Sequence, residues 1–341
     1  MPNVKMENEM SRAILRKTFV ERAGWALSDQ IRVAGDASNR KYDRLIRPNG
    51  ETAILMDAAP ELGEDVRPFI RVADYLRNSD LSAPRIFAAD PEYGFLLTED
   101  FGDALFADLM TADPSRTTAL YQASMDVLTN LHHAEPLVLP NCNAAWLSDM
   151  IEPLFEWYAK DTNKSLMAGV HDALITLAEP LDHLPKVTIL RDYHAQNLLW
   201  LAERQGVARV GLLDFQDAMI GHPAYDLVSI LQDARRDVDA ATEAAMINYF
   251  LSKTNADRTE FLRAYAVLGA QRNLRIVGIF ARLCLRDGKR GYVDLIPRVW
   301  EYVQRNLAHP DMAPLAQALE PLPEPTPEFL EQLKNRCAVT H

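Results

Sequence analysis

Cysteine is scarce in this chain. Three residues in 341, Cys142, Cys284 and Cys337, stand at wide spacings with no Cys-x-x-Cys pair, and they read as reduced, packed thiols. Long apolar runs are missing too. The longest, such as residues 276–280, fall far short of a bilayer span and are flanked by Arg275 and Arg282, so no membrane contact is expected. The N-terminus mixes Lys5, Glu7, Glu9, Arg12 and Arg16 with its apolar residues and lacks the apolar stretch of a signal peptide, which makes a cytoplasmic location the expectation. Basic charge is in deficit. The formal charge is −12, with 14 Lys+Arg against 17 Asp+Glu in residues 1–100 and 22 against 31 in the remainder, which disfavours nucleic acid as a partner. An acidic surface attracts cationic small molecules, although solubility is the commoner reason for such a balance. Internal repeats and low-complexity tracts are also absent.

What is present suffices for a full core, with 48% apolar residues in a length that suits one large domain or two ordinary ones. Residues 7–25 carry an imperfect helical pattern. From Ile31 the texture changes to three short strand-like runs, broken by Gly35-Asp36-Ala37-Ser38 and by Pro48-Asn49-Gly50, which predicts an antiparallel meander. A helix over 65–77 follows, then two more strands ending near Glu99. Beyond Phe101-Gly102-Asp103 the pattern is helical, with helices expected at 104–110, 114–133, 145–160, 166–179, 225–233, 240–252, 258–285 and 292–306. Pro310, Pro314, Pro321, Pro323, Pro325 and Pro327 predict a stiff, extended connection to a short terminal helix. The expected fold class is therefore α+β and bilobal: a small antiparallel-sheet lobe over 1–100 and a large, mainly helical lobe over 101–341.

The interruption in the helical part carries the chemistry. Asp192 and Asn197 lie five apart on a loop after an apolar strand, and Asp214 follows 17 residues later at the end of another. Phosphoryl transfer needs these parts: a carboxylate that orients or deprotonates the attacking hydroxyl, and an amide oxygen plus a carboxylate that hold Mg²⁺ across nucleotide phosphates. Two Asp- and Asn-rich turns are the plain alternative for each residue alone. Their joint order after a sheet-rich first lobe favours a kinase-like site.

The segments RDYHAQNLL and GLLDFQDAMIGHPAYDLVSIL resemble the two signatures of the aminoglycoside phosphotransferase/choline kinase superfamily, which has a bilobal protein-kinase-like fold. GDASNRKYDRL, AILMDAAPE, GFLLTEDFGD and QRNLRIVGIFARL extend the resemblance to the bacterial anomeric sugar kinases that phosphorylate N-acetylmuramate and N-acetylglucosamine at C1 in cell-wall recycling. The resemblance implies an ATP- (or GTP-) and Mg²⁺-dependent kinase, with Asp192 as catalytic base and Asn197 and Asp214 as metal ligands. Asp217 is a weaker metal candidate that equally suits an N-cap. Leu190 departs from the His that usually opens the motif.

In the first lobe the implied nucleotide site comprises Gly35, Asp36 and Ser38 of the phosphate-covering loop, Arg40, Arg44, Met56 and Glu99. Met56 stands where a kinase places a Lys on the third strand, leaving Arg40, Lys41 and Arg44 as substitutes; Glu61, Glu64 and Asp65 read as helix-terminus charges. Residues 97–99 would offer backbone groups to adenine. For the acceptor, the resemblance points to His194, Asp226, Arg235 and Arg272, with Asp233 and Asn273 nearby in sequence. An arginine would meet a muramate carboxylate, whereas Asp226 at a helix start suits bracing the catalytic loop better than binding the acceptor. His194 is expected to hydrogen-bond the loop rather than titrate. Trp146, Trp157 and Tyr158 suit either a sugar-stacking face or the core, their helical spacing favouring the core. The expected partner is a small hydroxyl acceptor, on a monomer or weak homodimer. Two alternatives stay open: an aminoglycoside or choline-like acceptor, and a non-catalytic nucleotide-binding protein.

Overall fold

A computed structural model describes residues 2–33, 39–160 and 164–338. The chain divides into two compact units, one formed by Met1–Asp108 with Asn197–Asp217, the other by Leu109–Gln196 with Ala218–His341. The second crossing returns a hairpin to the first unit, a connectivity that a single boundary at residue 100 does not express.

The first unit opens with α1 (Pro2–Arg22) and a five-stranded antiparallel sheet. Its strands are β1 (Asp29–Arg32), β2 (Lys41–Ile46), β3 (Thr52–Asp57), β4 (Ile86–Asp90) and β5 (Phe95–Glu99), in the order β1-β2-β3-β5-β4. The expected meander is there, and α2 (Arg67–Asn78) connects β3 to β4. Strand alternation assigns the two faces. Leu45, Ala53, Leu55, Phe95 and Leu97 form one core with Phe19 and Val20 of α1 and with Trp25. The register sets Tyr42 against Met56, Arg44 against Ile54, and Ile54 in turn against Thr98, so these side chains share the opposite face.

In the second unit, β6 (Val187–Ile189) pairs with β9 (Met219–Gly221) and leads into the Asp192 loop; in the first, β7 (Leu198–Trp200) pairs with β8 (Val210–Leu212). The helices after α2 are α3 (Phe106–Ala112), α4 (Thr117–His133), α5 (Ala144–Asp149), α6 (Lys164–Ala178), α7 (Ala224–Leu231), α8 (Ala240–Ser252), α9 (Arg258–Leu285), α10 (Ile296–Leu307), α11 (Ala313–Leu319) and α12 (Pro327–Asn335). Helix α9 starts at an Asp257 N-cap and is buried on most of its circumference, as a central helix must be. Gly278 lets it run against the backbone of Pro153 and Leu154; a Cβ there would lie 2.3 Å from Leu154 N.

Three expectations are corrected. The helix over 145–160 is broken: α5 ends at Asp149, and after Pro153 the chain makes a short π-helical turn, Leu154–Tyr158. The proline-rich connection is not extended throughout, because Pro310 begins a 3₁₀ turn and Pro314 lies in the first turn of α11, where a missing N–H costs nothing, while Leu315 and Leu319 supply a buried face. The cysteines are not all free thiols. Cys284 and Cys337 form a disulfide across 53 residues because α12 folds back toward the end of α9. Cys142 is free and buried, and burial pushes its thiol up to about 12.

Candidate active site

Asp192 follows β6 in the second unit, and its loop is held by α7. Asp226, on the first turn of α7, is fully buried; its two carboxylate oxygens accept the backbone N–H groups of Leu190 at 2.7 Å and Arg191 at 2.8 Å. Both oxygens thus engage the loop backbone, the geometry of a brace. Ser229 Oγ, one turn further on, donates to Arg191 O at 2.8 Å, and the Arg191 guanidinium lies 5.2 Å from the Trp146 ring centroid. These contacts hold Arg191 at φ +69°, a conformation that non-glycine residues seldom adopt. Leu190, in place of the usual His, packs into the core at 3% exposure. Burial raises the Asp226 carboxyl to about 6, partly offset by the two backbone donors and by Arg272.

The Asp192 carboxylate is about one-third exposed, and Arg272 of α9 approaches it at 3.9 Å. Arg272 is itself buried, with its guanidinium 5.8 Å from the Tyr225 ring. His194 N donates to Asp192 O at 3.2 Å, and burial lowers the imidazole pKa, with Asp233, Arg235, Asp192 and Arg272 as its charged neighbours. The second unit therefore gathers Asp192, His194, Asp233, Arg235 and Arg272. Asp233 is buried, with one oxygen accepting from Arg235 N at 2.9 Å, while the Arg235 side chain is exposed. Asn273 belongs instead to a core network, donating to Gln232 Oε1 and Gly269 O. Trp157 is half-buried; Tyr158 is core, its hydroxyl donating to Pro323 O.

Asn197 and Asp214 lie in the first unit, at the entry to β7 and just beyond β8. The amide of Asn197 donates to Asp214 Oδ2 at 3.3 Å, Gln216 Nε2 donates to Asp214 Oδ1 at 2.7 Å, and Asp214 takes φ +57°. Phe215 behind them stacks on Phe69 of α2 with centroids 4.8 Å apart. A carboxylate and an amide are hard oxygen donors suited to Mg²⁺, which commonly takes few protein ligands together with substrate phosphates. No three His, Cys, Asp or Glu side chains gather as a metal cluster among the described residues. Asp217 is exposed.

Of the nucleotide-site expectations, Gly35, Asp36 and Ser38 lie outside the described residues. Met56 is buried at 3% exposure. The Glu99 carboxylate meets Arg204 at 2.5 Å, and its backbone N–H donates to Arg85 O. Arg44 is gripped by Asp100 at 2.6 Å and Asp103 at 2.8 Å. Glu64 is not a helix-terminus charge: it precedes α2 and pairs with Arg40 at 2.7 Å. Sequence reasoning missed the roles of Asp100, Asp103 and Arg204. Their only signal was the Phe101-Gly102-Asp103 motif.

Residues 29–265 match the model of a family described as phosphotransferase enzyme family. The chain belongs to that family. A curated N-acetylmuramate/N-acetylglucosamine kinase of Caulobacter vibrioides is 36% identical, over 89% of this chain and 94% of its own length. A kinase of the same description from Pseudomonas aeruginosa is 32% identical over 87% and 89%. Among solved structures, the choline kinase LicA of Streptococcus pneumoniae superposes with a TM-score of 0.62 at 13% identity, covering 85% of this chain and 99% of that one. The aminoglycoside phosphotransferase APH(4)-Ia, solved with ADP and hygromycin B, gives 0.58 at 14%, covering 86% and 98%. These likenesses establish the protein-kinase-like fold, and the chain is a small-molecule kinase. Among the described residues no helix is long and apolar enough to cross a membrane.

Proposed function

We propose that this kinase transfers the γ-phosphoryl group of ATP to the anomeric hydroxyl of N-acetylmuramate or N-acetylglucosamine, in the recycling of cell-wall sugars. The observation that carries this reading is the 32–36% identity, over more than four-fifths of the chain, to four curated kinases of that description. Asp192 accepts the hydroxyl proton as the oxygen attacks; an anomeric hydroxyl is more acidic than a simple alcohol, so a carboxylate base is adequate. Asp226 and Ser229 hold the loop so that this carboxylate does not have to be ordered during turnover. Asn197 and Asp214 would hold Mg²⁺, which when bound would neutralise charge on the phosphates. Arg272, buried beside Asp192, receives the lactyl carboxylate that distinguishes muramate from glucosamine, a role that its guanidinium suits.

The test is incubation with ATP, Mg²⁺ and a panel of amino sugars and aminoglycosides, with phosphorus NMR locating the new ester. Coupling of the phosphate to an anomeric proton is the expected result. Phosphate found only on an aminoglycoside or choline-like hydroxyl would overturn the acceptor, and absence of Mg²⁺-dependent ATP consumption across the panel would overturn catalysis itself.

A further inference from the structure

Helix α9 brings two arginines to one side of the second unit. Arg272 and Arg275 are three residues apart, so they are neighbours on the helix surface. Arg272 is 7% exposed and approaches Asp192 at 3.9 Å, beyond hydrogen-bonding reach. Arg275 is half-buried, and its ionisable neighbours are Tyr225, Arg191, Arg272 and Asp192. Among the described residues neither guanidinium donates a hydrogen bond, the Nε–H of each is enclosed without an acceptor, and Arg275 has no ion pair. Such exposure to unmatched burial is not general in this unit. Arg263, Arg298 and Arg305 each meet a carboxylate, and Arg282, two turns beyond Arg275, is a neighbour of Asp287.

A guanidinium carries five N–H donors, and enclosing them without acceptors is unfavourable until an anion meets them. Burial lowers the Arg275 pKa and the Arg191 and Arg272 charges add to the fall, while Tyr225 and Asp192 oppose it. The surroundings of Arg275 therefore favour the arrival of a negative charge. The carboxylates at hand do not supply it. Asp226 is engaged by the N–H groups of Leu190 and Arg191, and Asp192 stands next to Arg272.

Resting on the acceptor reading above, we infer that Arg275 joins Arg272 in a two-guanidinium clamp on the lactyl carboxylate of N-acetylmuramate. The reacting hydroxyl is on C1 and the lactyl ether on C3, so the carboxylate lies away from the oxygen that meets Asp192. Arg275 stands about 4.5 Å beyond Arg272 along the helix, at 1.5 Å per residue, and is the more exposed of the two. A carboxylate offers two oxygens and about four acceptor sites, enough for two planar forks. Arg272 shares its charge with Asp192, whereas Arg275 brings one that no carboxylate has taken. N-acetylglucosamine lacks the lactyl group, so Arg275 sets the preference between the two sugars rather than the rate of transfer.

The test is steady-state phosphorylation of N-acetylmuramate, its methyl ester and N-acetylglucosamine by the full chain with ATP and Mg²⁺. Arg275→Met should raise KM for N-acetylmuramate about 10- to 100-fold more than for N-acetylglucosamine, the range for a charge-assisted hydrogen bond. The methyl ester, which has no carboxylate charge, should behave as N-acetylglucosamine does, and Arg275→Lys should recover part of the loss. Because both arginines grip one carboxylate, the double variant of Arg272→Met and Arg275→Met should lose less than the product of the single losses. An equal change for the acid and for N-acetylglucosamine, or no change for either, overturns the inference. So does a loss on the methyl ester as large as on the acid, or a double variant whose losses simply multiply. If Arg275→Met does not fold, Arg275→Gln is read by the same ratio of KM values. Turnover of neither sugar by the wild type would instead strike the acceptor reading, so the two failures are distinguishable.

Discussion

Replacing Asp226 by Asn tests the proposed role of the Asp192 loop through the group that shapes it. The carboxylate is fully buried and accepts two backbone N–H groups, at 2.7 and 2.8 Å. Asn keeps the volume but turns one acceptor into a donor facing an N–H, which leaves a buried donor unmet. For a charged acceptor that loss is about 1.5–3 kcal/mol, so kcat at neutral pH should fall about 10- to 100-fold in a chain that still folds. The pH dependence is more diagnostic. Burial raises the carboxyl from 3.8 to about 6; Arg272 and the two backbone donors oppose the rise, and the Asp192 charge adds to it. A displacement of that size corresponds to about 3 kcal/mol between the protonation states. Because the folded value is the higher one, the folded chain binds the proton more tightly. This group's contribution to stability is complete below 3.8 and is lost as pH rises through about 6. The loop, however, needs the ionised form, since a protonated oxygen cannot accept from both amides. Stability and turnover should therefore move in opposite directions across this window. The assay is kcat against pH for the wild type and Asp226→Asn, with urea unfolding in parallel. An acid limb near 6 that the variant lacks is expected; near-normal kcat in the variant, or the same limb in both proteins, would refute the reasoning.

Asp192→Asn should lower kcat by about 10²- to 10⁴-fold while calorimetry finds ATP binding unchanged, and retained turnover would remove Asp192 as the base. Arg272→Met should raise KM for N-acetylmuramate about tenfold more than for N-acetylglucosamine, while an equal effect on both sugars would exclude it as the carboxylate partner. Gly278→Ala puts a methyl 2.3 Å from Leu154 N and should cost about 1–3 kcal/mol, read as a lower urea midpoint at unchanged slope. A midpoint equal to wild type would mean that the crossing of α9 over Pro153 gives way.

The elements legible in the sequence were those with local causes. Strands β1 to β5 and the long helix α9 announce themselves by period and by turn residues, while the spacing of Asp192, Asn197 and Asp214 suggests roles that the Asp192→Asn assay is to test. Elements decided by distant partners were not legible. Pro314 reads as a breaker until Leu315 and Leu319 are seen to be buried, and Cys284 gives no hint of Cys337 because 53 residues and the return of α12 separate them. Asp226 was ambiguous for the same reason: a carboxylate at a helix start suits either a ligand or a backbone brace, and only the two N–H groups it faces distinguish these roles.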